Sequence, residues 1–340
     1  YDLEMQYNFA QRGRHEIVVG GNYRLLMDSQ KNSPHTTFTP KDRNNHTVSF
    51  FAQDKITLQP ETLFLTLGTK VEHNDYSGVE IQPTARLQWQ PDESQTLWAA
   101  VSRAVRTATP LETNVMSTLG AGPGLQAALV GNPDFESEEL IAYEVGYRRQ
   151  ITPALSVDTA AFYNDYDHLA TLGLLPTRVV NDGVTPPYLL LPVEFQNDMT
   201  GRSYGLELSA SWMVTPRLKL SANYSYMKLM LDALDNTALQ QEGAEDLYPP
   251  HQFSIRAYWD ITDRWSLNTT SYYVDELQGS NVDDYVRLDI NLGYQISENV
   301  RFNLVGQNLL DDAHREFDAP TAINASEVGR SVYGKVTWEF

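Results

Sequence analysis

The sequence predicts an all-β protein: an antiparallel β-barrel that crosses a bilayer with its strands. Three observations predict it. Apolar and polar residues alternate along most of the chain, and helical periodicity is almost nowhere. Short turns and long loops take turns between the alternating runs. No stretch of about 18 apolar residues exists, so no helix is long and apolar enough to span a membrane. Only helices and closed barrels satisfy their backbone groups in hydrocarbon, which leaves strands as the crossing elements.

The runs follow in order. Tyr1, Leu3, Met5, Tyr7 and Phe9 alternate with Asp2, Glu4, Gln6 and Asn8. The same pattern recurs around 62–71, 84–90, 141–149, 204–212 and 218–226. In 252–261, Phe253, Ile255, Ala257, Trp259 and Ile261 alternate with Gln252, Ser254, Arg256, Tyr258 and Asp260. In 285–295, Val286, Leu288, Ile290, Leu292 and Tyr294 alternate with Arg287, Asp289, Asn291 and Gln295. The last run, 332–340, sets Val332, Val336, Trp338 and Phe340 toward lipid and Tyr333, Lys335, Thr337 and Glu339 inward. Successive side chains on a strand point to opposite faces, so each run has one apolar and one polar face.

Tight-turn residues mark the links near Gln11–Arg14, Gln59–Glu61, Pro91–Ser94, Thr152–Ala154, Val214–Arg217, Thr262–Arg264 and Ser297–Asn299. Longer loops lie between them, roughly 27–46, 108–137, 170–200, 232–248, 277–284 and 311–329, with one short link near Asp75–Val79. Such sorting suits strands that run up and down between two different environments. The count is about fifteen strands, each with a core of about 9–11 residues, the length of a tilted bilayer crossing. The segment 187–198 reads either as a strand of its own or as an extended arm of its loop. If Phe340 finishes on the short-turn side, counting back puts Tyr1 at the long-loop end. An odd number of strands cannot close an ordinary antiparallel barrel, so the set is expected to be incomplete at its N-terminus.

Composition narrows the function. Lys and Arg number 25 against 44 Asp and Glu, a net charge of −19. A nucleic-acid binder would need a basic stripe. There is no cysteine, hence no disulfide framework, thiol nucleophile or cysteine-type metal centre. The seven histidines are scattered, without paired spacing, so no metal site or cofactor is expected. No nucleophile elbow or phosphate-binding loop occurs, and no enzyme is expected. The acidic loop with Asp232, Asp235, Glu242, Glu245 and Asp246 lacks calcium-loop spacing and reads as a solvated loop.

Several segments resemble the β-barrel of TonB-dependent outer-membrane receptors of the siderophore-receptor type. They are SFFAQDKITLQPETLFLTLGTKVEHNDYSG (49–78), VSRAVRTATPLE (101–112), GNPDFESEELIAYEVGYRRQITPALSVDTAAFYNDYDHL (131–169), GRSYGLELSASWMVTPRLKLSANYSYM (201–227) and RFNLVGQNLLDD (301–312). In VSRAVRTATPLE the proline is displaced relative to the family's Ser-x-Ala-x-Arg-x-Pro pattern. The aromatic terminus, Phe340, is similar to the ending of these receptors, which implies a role in assembly. The resemblance covers nearly the whole chain.

The resemblance implies a barrel of about twenty-two strands around an N-terminal plug. About fifteen of those strands are expected here, as the C-terminal portion of the barrel over residues 1–340, with the plug and first strands missing. It further implies active import of a scarce nutrient, above all a ferric siderophore, across the outer membrane of a Gram-negative bacterium. TonB would energise import through the missing N-terminal part. The implied partners are the iron chelate, the TonB complex and outer-membrane lipid, with no nucleic acid. The alternative is a passive, porin-like outer-membrane channel.

Alternation gives a lumen lining of Arg86, Glu144, Arg148, Asp158, Glu207, Arg256, Arg287, Asp289 and Arg301. Arg43, His46, Tyr76, Arg178, Tyr188 and Arg315 fall on the loops. Arginine and aromatic side chains recognise catecholate or carboxylate chelates by bidentate pairing and stacking, which makes these six the ligand candidates.

Overall fold

The computed structural model describes residues 1–181, 183, 186–234, 245–280, 282–317 and 326–340. Nineteen strands form one sheet. Four of them, Thr36–Phe38, Val115–Gly122, Leu125–Val130 and Arg178–Val180, belong to long connections. The other fifteen build the wall: β1 Asp2–Asn8, β2 His15–Ser29, β3 Asp42–Gln59, β4 Leu63–Asn74, β5 Gly78–Asp92, β6 Gln95–Arg106, β7 Glu138–Thr152, β8 Leu155–Leu174, β9 Tyr188–Thr215, β10 Leu218–Ala233, β11 His251–Asp260, β12 Trp265–Val274, β13 Tyr285–Ser297, β14 Val300–Gln307 and β15 Ser331–Trp338. Each pairs antiparallel with its neighbour in sequence order. Among the described residues the helical elements are a five-residue helix, α1 Pro110–Asn114, and a 3₁₀ turn at Glu245–Leu247.

Up-and-down order places seven short turns at one rim and seven other connections, mostly long, at the opposite rim. Three short turns share one device. The hydroxyls of Thr152, Thr215 and Thr262 each accept the N–H two residues on, from Ala154, Arg217 and Arg264, at 3.2 Å. In the turn after Asp92, the Asp92 carboxylate accepts Ser94 N–H and O–H at 2.8 and 2.6 Å. These side chains satisfy backbone donors that the ladder has run out of. Register shifts precede five of the short turns, between Thr57/Gln59, Trp89/Asp92, Gln150/Thr152, Met213/Thr215 and Gln295/Ser297. An extra residue there sharpens the local twist just before reversal.

Register converts alternation into layers. One layer reads Arg148, Asp158, Ser209, Asn223, Ser254, Tyr272, Arg287 across β7 to β13. The layer one residue away reads Tyr147, Thr159, Leu208, Tyr224, Phe253, Tyr273, Val286. The wall therefore has a polar face and an apolar, aromatic face. The apolar face has no partner layer: Tyr143, Val145 and Phe253 are 49%, 55% and 42% exposed. A soluble sandwich would cover such a face with a second sheet. A bilayer supplies the covering here, and the wall is an antiparallel transmembrane β-barrel in architecture.

Three details differ from the sequence reading. Of the segment 187–198, residues 188–198 form the upper end of the 28-residue β9 rather than a separate strand. Arg43 and His46 belong to β3 rather than to a loop. Phe340 lies beyond the last ladder pair, Val300 with Trp338, and meets Trp338 edge-on with ring centres 6.4 Å apart. In the described residues β1 pairs only with β2 and β15 only with β14, so the wall has two open edges.

Val145 sits mid-strand on the apolar face. Val145→Arg should destabilise the wall in phospholipid vesicles by about 2–4 kcal/mol. Asn223→Arg, on the polar face, should cost far less. Urea unfolding followed by tryptophan fluorescence in vesicles measures both, and equal costs would contradict the assignment of faces.

Candidate functional site

The connections opposite the short turns are folded structures, not solvated tethers. Thr36–Phe38 pairs with Val115–Gly122, which pairs with Leu125–Val130. Leu125–Val130 then runs parallel to Leu189–Glu194 at the upper end of β9. On its other edge this end of β9 pairs with Arg178–Val180 and with the last residues of β8. Three connections are thus knitted into one small sheet above the wall.

That sheet has a water-excluding core. The buried apolar side chains of the described residues include Ala108, Val115, Ala128, Phe135, Leu190, Val193, Met199, Leu277 and Val282. All nine lie in the long connections or in the strand end that extends into them. The Phe135 and Phe195 rings meet edge-on with centres 6.4 Å apart.

Charge fastens this cover to the wall. Arg106, the last residue of β6, donates from Nε and Nη2 to the Glu138 carboxylate at 2.6 and 2.8 Å. The same Nη2 reaches Glu112 of α1 at 2.7 Å. Glu138 also accepts the Ala170 N–H at 2.9 Å. Nearby, Arg103 grips Glu139 at 2.6 and 3.1 Å and Glu80 at 3.3 Å. Glu138 is fourteen residues from the end of β7 at Thr152, farther than the membrane crossing requires. Burial pushes its pKa up, but Arg106 and the Ala170 N–H outweigh that and hold it below the usual carboxylate range. Apart from Glu80, the arginines and carboxylates of this network lie inside the segments that carry the family resemblance, yet the sequence alone does not reveal their pairings. Alternation places residues on faces and is silent about strand ends.

The six ligand candidates fall into separate places. Arg43 and Tyr76 meet, with the guanidinium 4.2 Å from the ring centre. Asn74 shapes the turn by accepting the Tyr76 and Ser77 N–H groups at 2.9 Å, and Arg43 also donates to Asn114. Burial raises the Tyr76 pKa, with the Arg43 charge acting against it. Tyr76 lines a hollow of about 480 Å³ with Arg24, Asp28, Asn45, Lys70 and Glu72. His46 borders the same hollow, but its ring lies one position out of phase with Arg43 along β3 and meets the Tyr23 hydroxyl at 2.9 Å. Arg178 and Tyr188 sit in the cover sheet. Arg315 lies on the last connection, 3.6 Å from Glu327.

The wall ladders set Arg86, Glu144, Arg148, Asp158, Glu207, Arg256, Arg287, Asp289 and Arg301 on one face. Arg148 pairs with Asp158 at 2.5 Å, and Arg287 grips Asp289 at 3.0 and 2.9 Å. Arg86 covers the Trp98 ring at 4.8 Å, and Arg301 donates to Ser266 at 2.6 Å. Trp98 can lie flat because Gly146 is opposite; a Cβ there would come within 2.3 Å of the indole. Among the described residues no group of three His, Asp or Glu side chains could hold a metal. Asp235 and Glu242 of the acidic loop lie outside the described residues.

A transmembrane β-wall with a polar face, tight turns at one rim and a folded cover at the other defines the outer-membrane barrel class. The chain belongs to the family described as TonB dependent receptor-like, beta-barrel, which matches residues 1–309. It is 24% identical over 353 residues to the iron-regulated outer membrane virulence protein of Vibrio cholerae O395, covering 97% of this chain and 49% of that protein. It is 25% identical over 324 residues to the ferric enterobactin receptor of Pseudomonas aeruginosa PAO1, covering 86% and 42%. The fold is similar to that of a siderophore receptor from Acinetobacter baumannii, with a TM-score of 0.77, 17% identity and coverage of 100% and 54%. The chain spans about half the length of the curated relatives it matches.

Arg106→Ala should loosen the cover by about 1.5–3 kcal/mol, the contribution of hydrogen bonds to charged groups. Glu138 has a folded pKa below its unfolded value, so its tie contributes fully above the ordinary carboxylate range. The contribution disappears as pH falls through the lowered value. Limited proteolysis of the 107–137 connection should show an acid-induced loosening in the parent. Arg106→Ala should already be loose at neutral pH, with that acid step much reduced.

Proposed function

We propose that this chain is part of the wall and cover of an outer-membrane receptor that imports a ferric siderophore, energised through TonB. Membership of the receptor family carries the reading. The relatives' names, an iron-regulated outer membrane protein and a ferric enterobactin receptor, point to iron chelates as cargo. The polar face lines the lumen, and the folded cover stands on the extracellular side. The open edges of β1 and β15 are completed in the membrane by further strands, because each unpaired edge group in hydrocarbon costs several kcal/mol. The residues serve binding and passage rather than bond chemistry, and the protein acts as a receptor, not an enzyme. Arg43 stacked on Tyr76 offers a planar cation and a ring to a chelate at the top of the lumen.

Transport assays separate active import from the passive-channel alternative. Cells carrying the receptor should accumulate radiolabelled ferric siderophore under iron limitation, and accumulation should stop when TonB is deleted or the proton motive force is collapsed. Uptake that continues unchanged under both treatments would establish a passive pore. Tyr76→Ala should raise the half-saturating chelate concentration by about threefold to thirtyfold, the range for losing a ring beneath a cation.

A further inference from the structure

Charge is scarce on the face of the wall that meets lipid. Among the described residues, the lysines and arginines of the wall strands that share the apolar phase are Arg103, Arg149, Arg202 and Lys228. The others share the phase of Arg148 and Asp158. Arg103 grips Glu139 at 2.6 Å. Arg149 stands at the short-turn rim, opposite Gln95. Arg202 and Lys228 remain, on the neighbouring strands β9 and β10 toward the cover. Lys228 is opposite Tyr204, and Arg202, one pleat higher, is opposite Met230. Neither has a tight counter-ion. Asp165 lies 3.9 Å from Arg202, with both side chains more than half exposed. Lys228 is exposed and, among the described residues, has no Asp or Glu within ion-pair distance. Asp167, next on the same face, turns to His168 at 3.7 Å. Asp232 is four residues beyond Lys228, about 13 Å along the strand.

The surroundings of the two cations are those of a membrane interface. Tyr143, Tyr163, Tyr204 and Lys228 form one cross-strand layer. Ring centres lie 6.3 Å apart for Tyr143 and Tyr163, and 6.5 Å apart for Tyr204 and Tyr226. The next layer toward the short turns reads Val145, Ala161, Leu206, Tyr226. Tyrosines gather where hydrocarbon gives way to headgroups. Height agrees with that placement. Lys228 is ten residues above the foot of β10 at Leu218, about 33 Å along the strand. At the tilt of such walls this is about 25 Å of height, the extent of a barrel's outward apolar band. The ammonium therefore stands at the upper edge of that band, and Arg202 just above it.

We propose that Arg202 and Lys228 form a site on the outer surface of the wall for the phosphate of a lipid headgroup, in the leaflet at the cover rim. The inference goes beyond cargo import and rests on the wall's place in a bilayer. A guanidinium presents a planar fork to two phosphate oxygens, and an ammonium adds a point charge beside it. The Tyr204 side chain stands next to both. Acyl chains of the same lipid run down over Ala161, Leu206 and Leu208, which share the face below the cations. A lipid thus matches both parts of this surface, charge above and apolar side chains beneath. A free anion would meet the cations alone.

The test uses the full receptor, stripped of lipid in detergent, with bound lipid counted by native mass spectrometry. The probes are lipid A, an acylated glucosamine disaccharide with two phosphates, the same lipid with both phosphates removed, and inorganic phosphate. The parent should hold the phosphorylated lipid about tenfold to a hundredfold more tightly than the dephosphorylated one, the range for hydrogen bonds to charged groups. Arg202→Gln combined with Lys228→Gln should abolish that preference and leave binding of the dephosphorylated lipid unchanged. Arg149→Gln, at the other rim, should keep the preference. Inorganic phosphate at equal concentration should leave the lipid bound. Equal affinity of the parent for the two lipids overturns the proposal without recourse to any variant. A double variant that keeps the preference overturns it too, as does displacement of the lipid by equimolar phosphate, which would make this a site for free anions. Siderophore uptake by cells tests the receptor reading separately, so failure of one is distinguishable from failure of the other.

Discussion

Backbone N–H and C=O groups cannot stay unpaired in hydrocarbon, and every feature of the wall depends on that constraint. Each unsatisfied group costs several kcal/mol, so strands must pair in full along the membrane depth. Nearest-neighbour hairpins meet the demand with the shortest connections, and the fifteen strands follow sequence order without a crossover in the wall. Pairing also ties side-chain phase to register. A slip of one residue would turn the layer containing Arg148, Asp158 and Arg287 toward lipid. Interrupted pairing falls beside the short turns and, toward the cover, in β8 between Tyr166 and Thr171. Five register shifts sit beside short turns, where in three of the turns threonine hydroxyls and an aspartate replace lost ladder partners.

Two solvents give the molecule two kinds of packing. Along the wall, apolar side chains remain exposed because lipid receives them. At the cover rim the solvent is water, and burial reappears as it does in soluble proteins. Leu190 is 1% exposed and Ala128 0%, both in the small sheet that unites three connections. The connections lack the wall's uninterrupted ladder, so packing and ion pairs hold them in place. Glu112 is an example: its side chain is 9% exposed, and Arg106 supplies its charge partner. A buried carboxylate without that partner would be costly, which makes the arginine a condition of the cover's position rather than an ornament.

Legibility in the sequence divides along the same line. The strand count, the seven turns and the phase of each wall residue were legible, since period-two alternation reports which of two environments a residue meets. The cover was not. Val115, Ala128 and Leu190 stand in segments without wall-like alternation, and their partners are far away in the chain. The parallel pairing of Leu125–Val130 with Leu189–Glu194 joins connections separated by two wall strands. No local pattern announces such a contact. The sequence places His46 at the end of the loop near 27–46, whereas the ladder extends through it and the pleat turns its ring toward Tyr23. Segment 187–198 was ambiguous for a related reason: β9 changes surroundings from water to lipid partway along its 28 residues.

A wall specified by a repeating pattern and a cover specified by individual contacts differ in how they tolerate change. On the wall, many substitutions preserve the alternating face, because lipid accepts any apolar side chain of about the right size. In the cover, each buried residue has particular neighbours. Loss of Phe135 would leave Phe195 without its edge-on partner, and loss of Arg106 would strand two carboxylates at once. Connections can therefore diverge in composition only while those few ties are kept.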